Sequence, residues 1–158
     1  MTIEEKVREM GMVLPEAFRS PTGAPYPFEW VRTRGSRAML SGHLPLAPDG
    51  TLAEPRGKVG GALTAEDGQA AARLVLLSML GDLKRAGVEL DRVTWVRVFG
   101  MVNTAPGFTG MAQVMNAFST LVIELYGRER GAHSRTAMGA AELPFDVAVE
   151  IEAEVEIG

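Results

Sequence analysis

The sequence contains no cysteine among its 158 residues. This absence excludes disulfide bonds, thiolate nucleophiles and zinc sites built on thiolates, and it fits a reducing compartment. Histidine is nearly as scarce, since His43 and His133 are the only two and lie far apart in the chain. A metal site usually needs three or four clustered ligands. The sequence therefore predicts neither a metal centre nor a cysteine-based active site.

Long apolar runs and an excess of positive charge are also missing. The longest apolar stretch, LVLLSML at 74–80, is too short to cross a bilayer. Charged residues between positions 4 and 9 interrupt any signal-peptide core. The formal net charge of -4 leaves no basic surface for a nucleic-acid backbone. We therefore expect a soluble, cytoplasmic protein that binds neither membranes nor nucleic acids.

Apolar periodicity predicts a single α+β domain that covers residues 1–158. Residues 1–23 are expected to form an N-terminal helix and loop ahead of the main fold. The predicted elements are a helix at 2–13, two strands around a turn at 34–36, a helix at 64–83, a strand at 92–102, a helix at 111–126, and two strands at 134–141 and 147–157. This order is typical of a mixed β-sheet with two long helices packed on one face.

Local signals mark the ends of the long helices and the place of the strand between them. Thr64 is the predicted N-cap, because acidic residues follow it in the first turn, and Gly87 follows the last turn. Gly127 is expected to end the second long helix. Residues 92–102 are apolar on both parities, which predicts a central strand covered on both faces.

The closing segment, HSRTAMGAAELPFDVAVEIEAEVEIG at 133–158, combines a charged strand with a lone arginine. From 147 onward every second residue is apolar, and the residues between them include glutamates at 150, 152, 154 and 156. The alternation predicts a strand with one face against the helices and an acidic opposite face. If the last two strands pair through the ELPFD turn, Arg135 lies opposite residues 150–153 and beside the small side chains of its own strand.

Three interpretations of this arrangement are open. The glutamates can form a solvated face, with Arg135 in a surface ion pair. Alternatively, the small residues beside Arg135 and Glu150 leave room for a ligand. In the third interpretation the charged face is an oligomer surface, and these two residues border a cleft between subunits.

Other motifs carry less weight. Ser41 and His43 are close in sequence but lack the strand–turn–helix setting of a hydrolase nucleophile. The GKVGG stretch at 57–61 lacks the features of a phosphate-binding loop. Asn116 lies nearly opposite the apolar face of its helix, so a functional role for it requires a neighbouring subunit that covers it.

The sequence resembles the RidA (YjgF) reactive-intermediate deaminase family in four stretches, APYPFEWVRTRGSRAMLSGHLPLAPDG, LTAEDGQAAARLVLLSMLGDLKRAGVELDRVTWVRVFGMV, VMNAF and SRTAMGAAELPFDVAVEIEA. They match the opening of the family, its long helix and following strand, its later helix and its ending. Together they span about residues 24–157. Fifteen residues separate Arg135 from Glu150, as in the family pattern.

The resemblance implies a chorismate-mutase-like α+β fold, assembled as a homotrimer with clefts between subunits. It also implies hydrolysis of 2-imino or enamine acids to 2-oxo acids and ammonia, without a cofactor, and therefore a small carboxylate-bearing metabolite as the ligand. By this resemblance Arg135 holds the substrate carboxylate and Glu150 lies near the attacking water. Tyr26, Ser41 and Asn116 match positions that line the cleft.

The sequence also departs from the family pattern. Ala137 stands where the family often has cysteine, and His43 replaces a common glutamine. The N-terminal segment and an insertion at 103–110 indicate a divergent subgroup, some of whose relatives carry the label endoribonuclease L-PSP. The alternative function is a non-catalytic trimer that binds small carboxylates. A ribonuclease is a third candidate that the acidic composition does not favour.

Overall fold

The computed structural model describes all 158 residues, from Met1 to Gly158, as three helices and five strands. In chain order these are α1 (Ile3–Glu9), β1 (Val31–Arg34), β2 (Arg37–His43), α2 (Ala65–Arg85), β3 (Val93–Asn103), α3 (Met111–Gly131), β4 (Ser134–Ala140) and β5 (Val149–Ile157). The predicted order of elements is confirmed. None of the helices is long and apolar enough to cross a membrane.

The five strands form one mixed sheet in the order β1-β2-β5-β3-β4. β3 and β4 are parallel, and the other neighbours are antiparallel. The expected pairing of the last two strands through the ELPFD turn is therefore wrong, because β3 lies between β4 and β5. The physical reason is the helical crossover: α3 connects β3 to β4, and strands joined in this way pair in parallel. β4 takes one edge of β3, and β5 pairs with the other.

Both long helices cover the same face of the sheet and enclose one apolar core. α2 begins at the predicted N-cap, where the Thr64 hydroxyl and the Asp67 carboxylate each accept the other residue's backbone N–H in a capping box. It ends before Gly87, whose positive φ of 82° suits glycine. α3 is regular up to Gly127, which leaves helical geometry at the predicted position, and a last turn follows.

The N-terminal helix belongs to this core rather than lying apart from it. α1 is shorter than predicted, but its Ile3 and Val7 are buried in the same cluster as the residues of α2 and α3. The Lys6 ammonium donates to the carbonyl of Leu125 on α3, and the backbone N–H of Ile3 donates to the carboxylate of Asp91. The first residues therefore close one end of the helix layer.

The opposite face of the sheet is open in the single chain. In β5 the predicted alternation is confirmed, because Val149, Ile151, Ala153 and Val155 are buried while the glutamates face the other side. In β3 the residues on that side are only partly buried or exposed, and they pair with the glutamates in register, as Arg97 with Glu154, Phe99 with Glu152 and Met101 with Glu150. The prediction that β3 is covered on both faces is therefore wrong for a single chain, in which only the helix side is covered.

The capping box of α2 generates the first prediction. Thr64→Ala removes the hydroxyl that accepts the Asp67 N–H, and we expect a loss of about 1 kcal/mol in the free energy of unfolding. Thr64→Ser keeps the hydroxyl and should retain most of the stability. Urea unfolding of the three proteins measures this difference, and equal stability of all three would contradict the assigned cap.

Candidate functional site

Arg135 lies on the helix-covered face of the sheet. β4 runs parallel to β3 with Arg135 level with Val98, which is fully buried. Its guanidinium reaches α3, where Nη1 donates to the Ser119 hydroxyl at 3.0 Å and Nη2 donates to the Asn116 side-chain oxygen at 3.0 Å. Nη2 also lies 3.4 Å from the carbonyl oxygen of Ala112. The structure thus joins two of the residues singled out by sequence, Arg135 and Asn116.

A second set of contacts connects Arg135 to His133 through the Ser119 hydroxyl. The Ser119 hydroxyl is 2.9 Å from Nε2 of His133, and Nδ1 of His133 is 2.7 Å from the Gly131 carbonyl oxygen. A carbonyl only accepts, so Nδ1 carries the proton, Nε2 accepts from Ser119, and the Ser119 oxygen accepts from Arg135. Partial burial lowers the pKa of His133, the hydrogen bond to Gly131 opposes this shift, and the charge of Arg135 adds to it, so the net effect favours the neutral ring. Burial also lowers the pKa of Arg135, although a guanidinium stays charged.

Glu150 lies on the open face, in the middle of the sheet. It is half-buried, paired in register with Met101 of β3, and its carboxylate lies against Gly42 of β2. A Cβ at position 42 would overlap that carboxylate, so glycine permits the close approach. Burial raises the pKa of Glu150, Glu152 raises it further, and His43 opposes the shift. The Glu150 carboxylate therefore has a raised proton affinity.

Ser41 lies in a bulge of β2, next in sequence to the Gly42 that contacts the Glu150 carboxylate. The pairing of β2 with β5 shifts register between Leu40 and His43, and Ser41 and Gly42 occupy the shift. The Ser41 hydroxyl donates to the Glu29 carbonyl oxygen at 2.7 Å, and its backbone N–H donates to the carbonyl of Trp30. Ser41 also borders an open-face hollow of about 340 Å³, lined among others by Arg32, Arg97, Phe99, Glu152 and Glu154.

Tyr26 belongs to a cluster of aromatic rings that sequence reasoning did not anticipate. Its ring centroid lies 5.4 Å from that of Phe28, 5.5 Å from Trp30 and 6.2 Å from Phe18, and Phe145 joins through Phe18. The Tyr26 hydroxyl is within 3.0 Å of the Ser20 hydroxyl. The signal that could have revealed the cluster is the concentration of four aromatic residues between positions 18 and 30. Trp30 connects the cluster to the bulge at Ser41.

Two further polar side chains near Arg135 were also missed. Ser119 follows Asn116 by three positions on α3, a spacing that places both on one helix face. That spacing, together with the arginine at position 135, could have identified Ser119 from the sequence. His133 had no such signal, because only the turn after α3 brings its ring under Ser119.

Within one chain, Arg135 and Glu150 do not meet. Arg135 is level with Val98 of β3, and Val98 is level with Ala153 of β5. Glu150 therefore lies two strands across and three residues along, on the order of 14 Å between Cα atoms from standard strand spacings. The two side chains also point to opposite faces of the sheet. One chain carries two half-sites, Arg135 with Asn116 on the helix face and Glu150 with Ser41 on the open face.

No group of three or more histidine, aspartate or glutamate side chains is placed to hold a metal ion. Both half-sites thus consist of hydrogen-bonding and ionisable side chains alone. A guanidinium can bind an anion, and a carboxylate can accept a proton.

A five-stranded mixed sheet with two long helices on one face defines the class as a chorismate mutase-like α+β protein. Residues 4–153 match the family described as "YjgF/chorismate mutase-like, putative endoribonuclease", which is nearly the whole chain. The chain therefore belongs to the YjgF/chorismate mutase-like family, and the resemblance seen in the sequence is confirmed.

Individual relatives are similar to this chain in sequence and structure over nearly its full length. Protein TCP17 of Trypanosoma cruzi is 35% identical over 156 residues, covering 98% of this chain and 94% of its own. The structure of Atu1372 from Agrobacterium tumefaciens, a protein of unknown function, is 32% identical with a TM-score of 0.86 over 99% of this chain and 92% of its own. A structure from Shewanella oneidensis, described as a "putative endoribonuclease", is 28% identical with a TM-score of 0.88 over 99% and 100%.

The raised pKa of Glu150 gives a prediction that is independent of any activity. A carboxyl whose pKa is higher in the folded than in the unfolded chain destabilises the fold above both values, and this penalty vanishes below both. Glu150→Gln should therefore increase the free energy of unfolding more at about pH 7 than at about pH 4. Glu156→Gln, at the exposed end of β5, controls for the loss of one negative charge. Denaturant unfolding at both pH values is the measurement, and the same gain at both would refute the assigned environment.

Proposed function

We propose that this protein hydrolyses 2-imino acids, or the enamines in equilibrium with them, to 2-oxo acids and ammonia. The observation that carries the proposal is the preorganised guanidinium of Arg135. Asn116 and Ser119 fix its plane, and its contacts leave further N–H donors free for a ligand. A guanidinium binds a carboxylate through charge-assisted hydrogen bonds, and the free N–H groups on Nε and Nη1 fit the carboxylate that every 2-imino acid carries.

The proposed chemistry needs one carboxylate besides this anchor. With the substrate carboxylate held by Arg135, water attacks the iminium carbon and Glu150 accepts a proton from that water. The tetrahedral adduct carries a hydroxyl and an amino group on the same carbon. Glu150 returns its proton to the amino group, the C–N bond breaks to release ammonia, and Glu150 takes the hydroxyl proton as the carbonyl of the oxo acid forms. Ammonia then takes up that proton and leaves as ammonium. An iminium is already electrophilic, so the reaction requires neither a metal nor a covalent intermediate.

The proposal includes a homotrimer, because the two half-sites lie on opposite faces of one chain. A second copy that packs its β4 edge and α3 against the open face would bring its Arg135 towards Glu150 of the first. Such a head-to-tail contact closes into a ring when three copies repeat it. The open face suits burial, since Phe99, Met101 and the 44% exposed Met138 lie there beside charged residues of both signs.

Two other functions remain as alternatives. A non-catalytic trimer that binds small carboxylates would use Arg135 and Asn116 without needing a base at Glu150. RNA cleavage is named in the descriptions of the family and of the Shewanella oneidensis structure. A net charge of -4 disfavours it, because RNA binding depends on cationic surface along the backbone.

Changing the proposed base tests catalysis against simple binding. Glu150→Gln keeps size and polarity but cannot accept a proton, so we expect imine hydrolysis to fall by about 10²–10⁴-fold. Binding of the product oxo acid should persist, because Arg135 is intact. The hydrolysis rate is measured with freshly generated 2-iminopropanoate, and the affinity for the oxo acid is measured in parallel with pyruvate. Glu156→Gln is the matched control on the same strand, and equal rates in the two variants would favour the carboxylate-binding alternative.

A mixing experiment tests whether each site is shared between chains. Arg135→Gln and Glu150→Gln should each be nearly inactive as pure proteins. Unfolded together in equal amounts and refolded, they should recover about one quarter of wild-type activity, since that share of contacts joins an intact Arg135 to an intact Glu150. Each variant refolded alone is the control. If the mixture recovers nothing while wild type refolds fully, both residues of a site come from one chain.

A further inference from the structure

His43 is a buried histidine that the proposed chemistry does not use. Its side chain, at the end of β2, is 2% exposed. Nδ1 lies 2.6 Å from the carbonyl oxygen of Ser41, and Nε2 lies 3.1 Å from Oδ2 of Asp82 on α2. A carbonyl oxygen only accepts hydrogen bonds, and an ionised carboxylate also only accepts. Both ring nitrogens therefore face acceptors, and only the imidazolium form, with two N–H donors, satisfies both.

Asp82 is held in the ionised form that this argument requires. Its other oxygen, Oδ1, accepts from Nε of Arg85 at 2.8 Å, and Arg85 also donates to the carbonyl of Pro15. Burial opposes ionisation of Asp82, but the hydrogen bonds and charges of His43 and Arg85 outweigh it, so the pKa of Asp82 lies below its usual value. The Trp30 ring, with its centroid 5.6 Å from that of His43, closes the remaining side.

The His43 ring lies on the helix-covered side of the sheet, close in register to Glu150 on the open side. His43 is level with Ile151, the neighbour of Glu150 in β5. The hydrogen bond from Nδ1 to the Ser41 carbonyl spans the bulge, whose Gly42 contacts the Glu150 carboxylate. Asp82 and Arg85 of α2 are the charged groups next to His43. Glu152 of β5 is the charged group that acts on Glu150. With a charged His43, the His43–Asp82–Arg85 group places one carboxylate between two cations and has a net positive charge.

We propose that His43, held as an imidazolium by Asp82, is a positioning residue for Glu150. Its hydrogen bond to Ser41 shapes the bulge on which the Glu150 carboxylate lies, and its charge favours the ionised carboxylate over the protonated one. The kinetic part of this proposal rests on the proposed function, whereas the charge state of His43 and its influence on Glu150 do not.

The second histidine provides an internal reference. His133 shows the same contact at Nδ1, with a carbonyl two residues earlier, but its Nε2 faces the Ser119 hydroxyl, which can donate. The geometry therefore assigns a neutral ring to His133 and a charged ring to His43. Side-chain ¹⁵N–¹H spectra of the assembled protein at neutral pH should show two protonated nitrogens for His43 and one for His133. A neutral His43 in the wild-type protein would overturn the proposal.

The influence of His43 on Glu150 is tested with two variants, because either one alone can perturb folding. Asp82→Asn removes the anion that holds the imidazolium, and His43→Gln removes the ring charge while keeping a side chain that can donate to Ser41. In both, the titration of Glu150, followed by carboxyl ¹³C shifts, should move to higher pH. Lys84→Gln, which removes an exposed charge from the same end of α2, should leave that titration in place.

The pH dependence of imine hydrolysis should shift together with the titration of Glu150. Because only ionised Glu150 accepts a proton, the acid limb of kcat/KM for imine hydrolysis should move to higher pH in both variants. A several-fold loss is expected on that limb, with a smaller loss on the plateau. A uniform loss at all pH values, with the Glu150 titration unchanged, would leave His43 as a structural residue and overturn the proposal. A shifted titration in a protein that hydrolyses no imine would support the role of His43 and refute the proposed function.

Discussion

The position of β3 between β4 and β5 is the constraint on which the rest of the structure depends. Because α3 carries the chain from β3 into a parallel β4, the strand with Arg135 occupies an edge of the sheet, and β5 is left to pair on the far side. Arg135 then faces α3 and Glu150 faces the open side. The two side chains therefore have different hydrogen-bond partners and different electrostatic surroundings.

A histidine lies near each of the two proposed half-sites, and the two rings have different hydrogen-bond partners. Beside Arg135, His133 has a lowered pKa and a hydroxyl partner, so the neutral ring adds no repulsive charge to the guanidinium. Beside Glu150, His43 contacts an ionised aspartate and a carbonyl, an arrangement that favours a positive ring. A neutral ring next to Arg135 and a cationic ring near Glu150 would favour the charged forms of both side chains, which the proposed chemistry requires.

Local features of the fold were predictable because they depend on nearby residues. The capping box at Thr64, the ends of the helices near Gly87 and Gly127, and the alternation of β5 all depend on contacts within a few positions. The pairing of the last two strands was not predictable in this way. The short segment between β4 and β5 suggested a hairpin. In the structure, however, the crossover through α3 places β4 beside β3. Strand order depends on contacts that are distant in the chain.

The sequence by itself determined the element order, the acidic face of β5 and the family, because periodicity and motif spacing are local properties of the chain. It also identified Arg135, Glu150 and Asn116 as residues to examine. Only the tertiary structure decided that Arg135 contacts Asn116, that Glu150 lies on the opposite face, and that His43 meets Asp82. These pairings join residues up to about forty positions apart, and only packing of the helices on the sheet brings them within hydrogen-bonding distance.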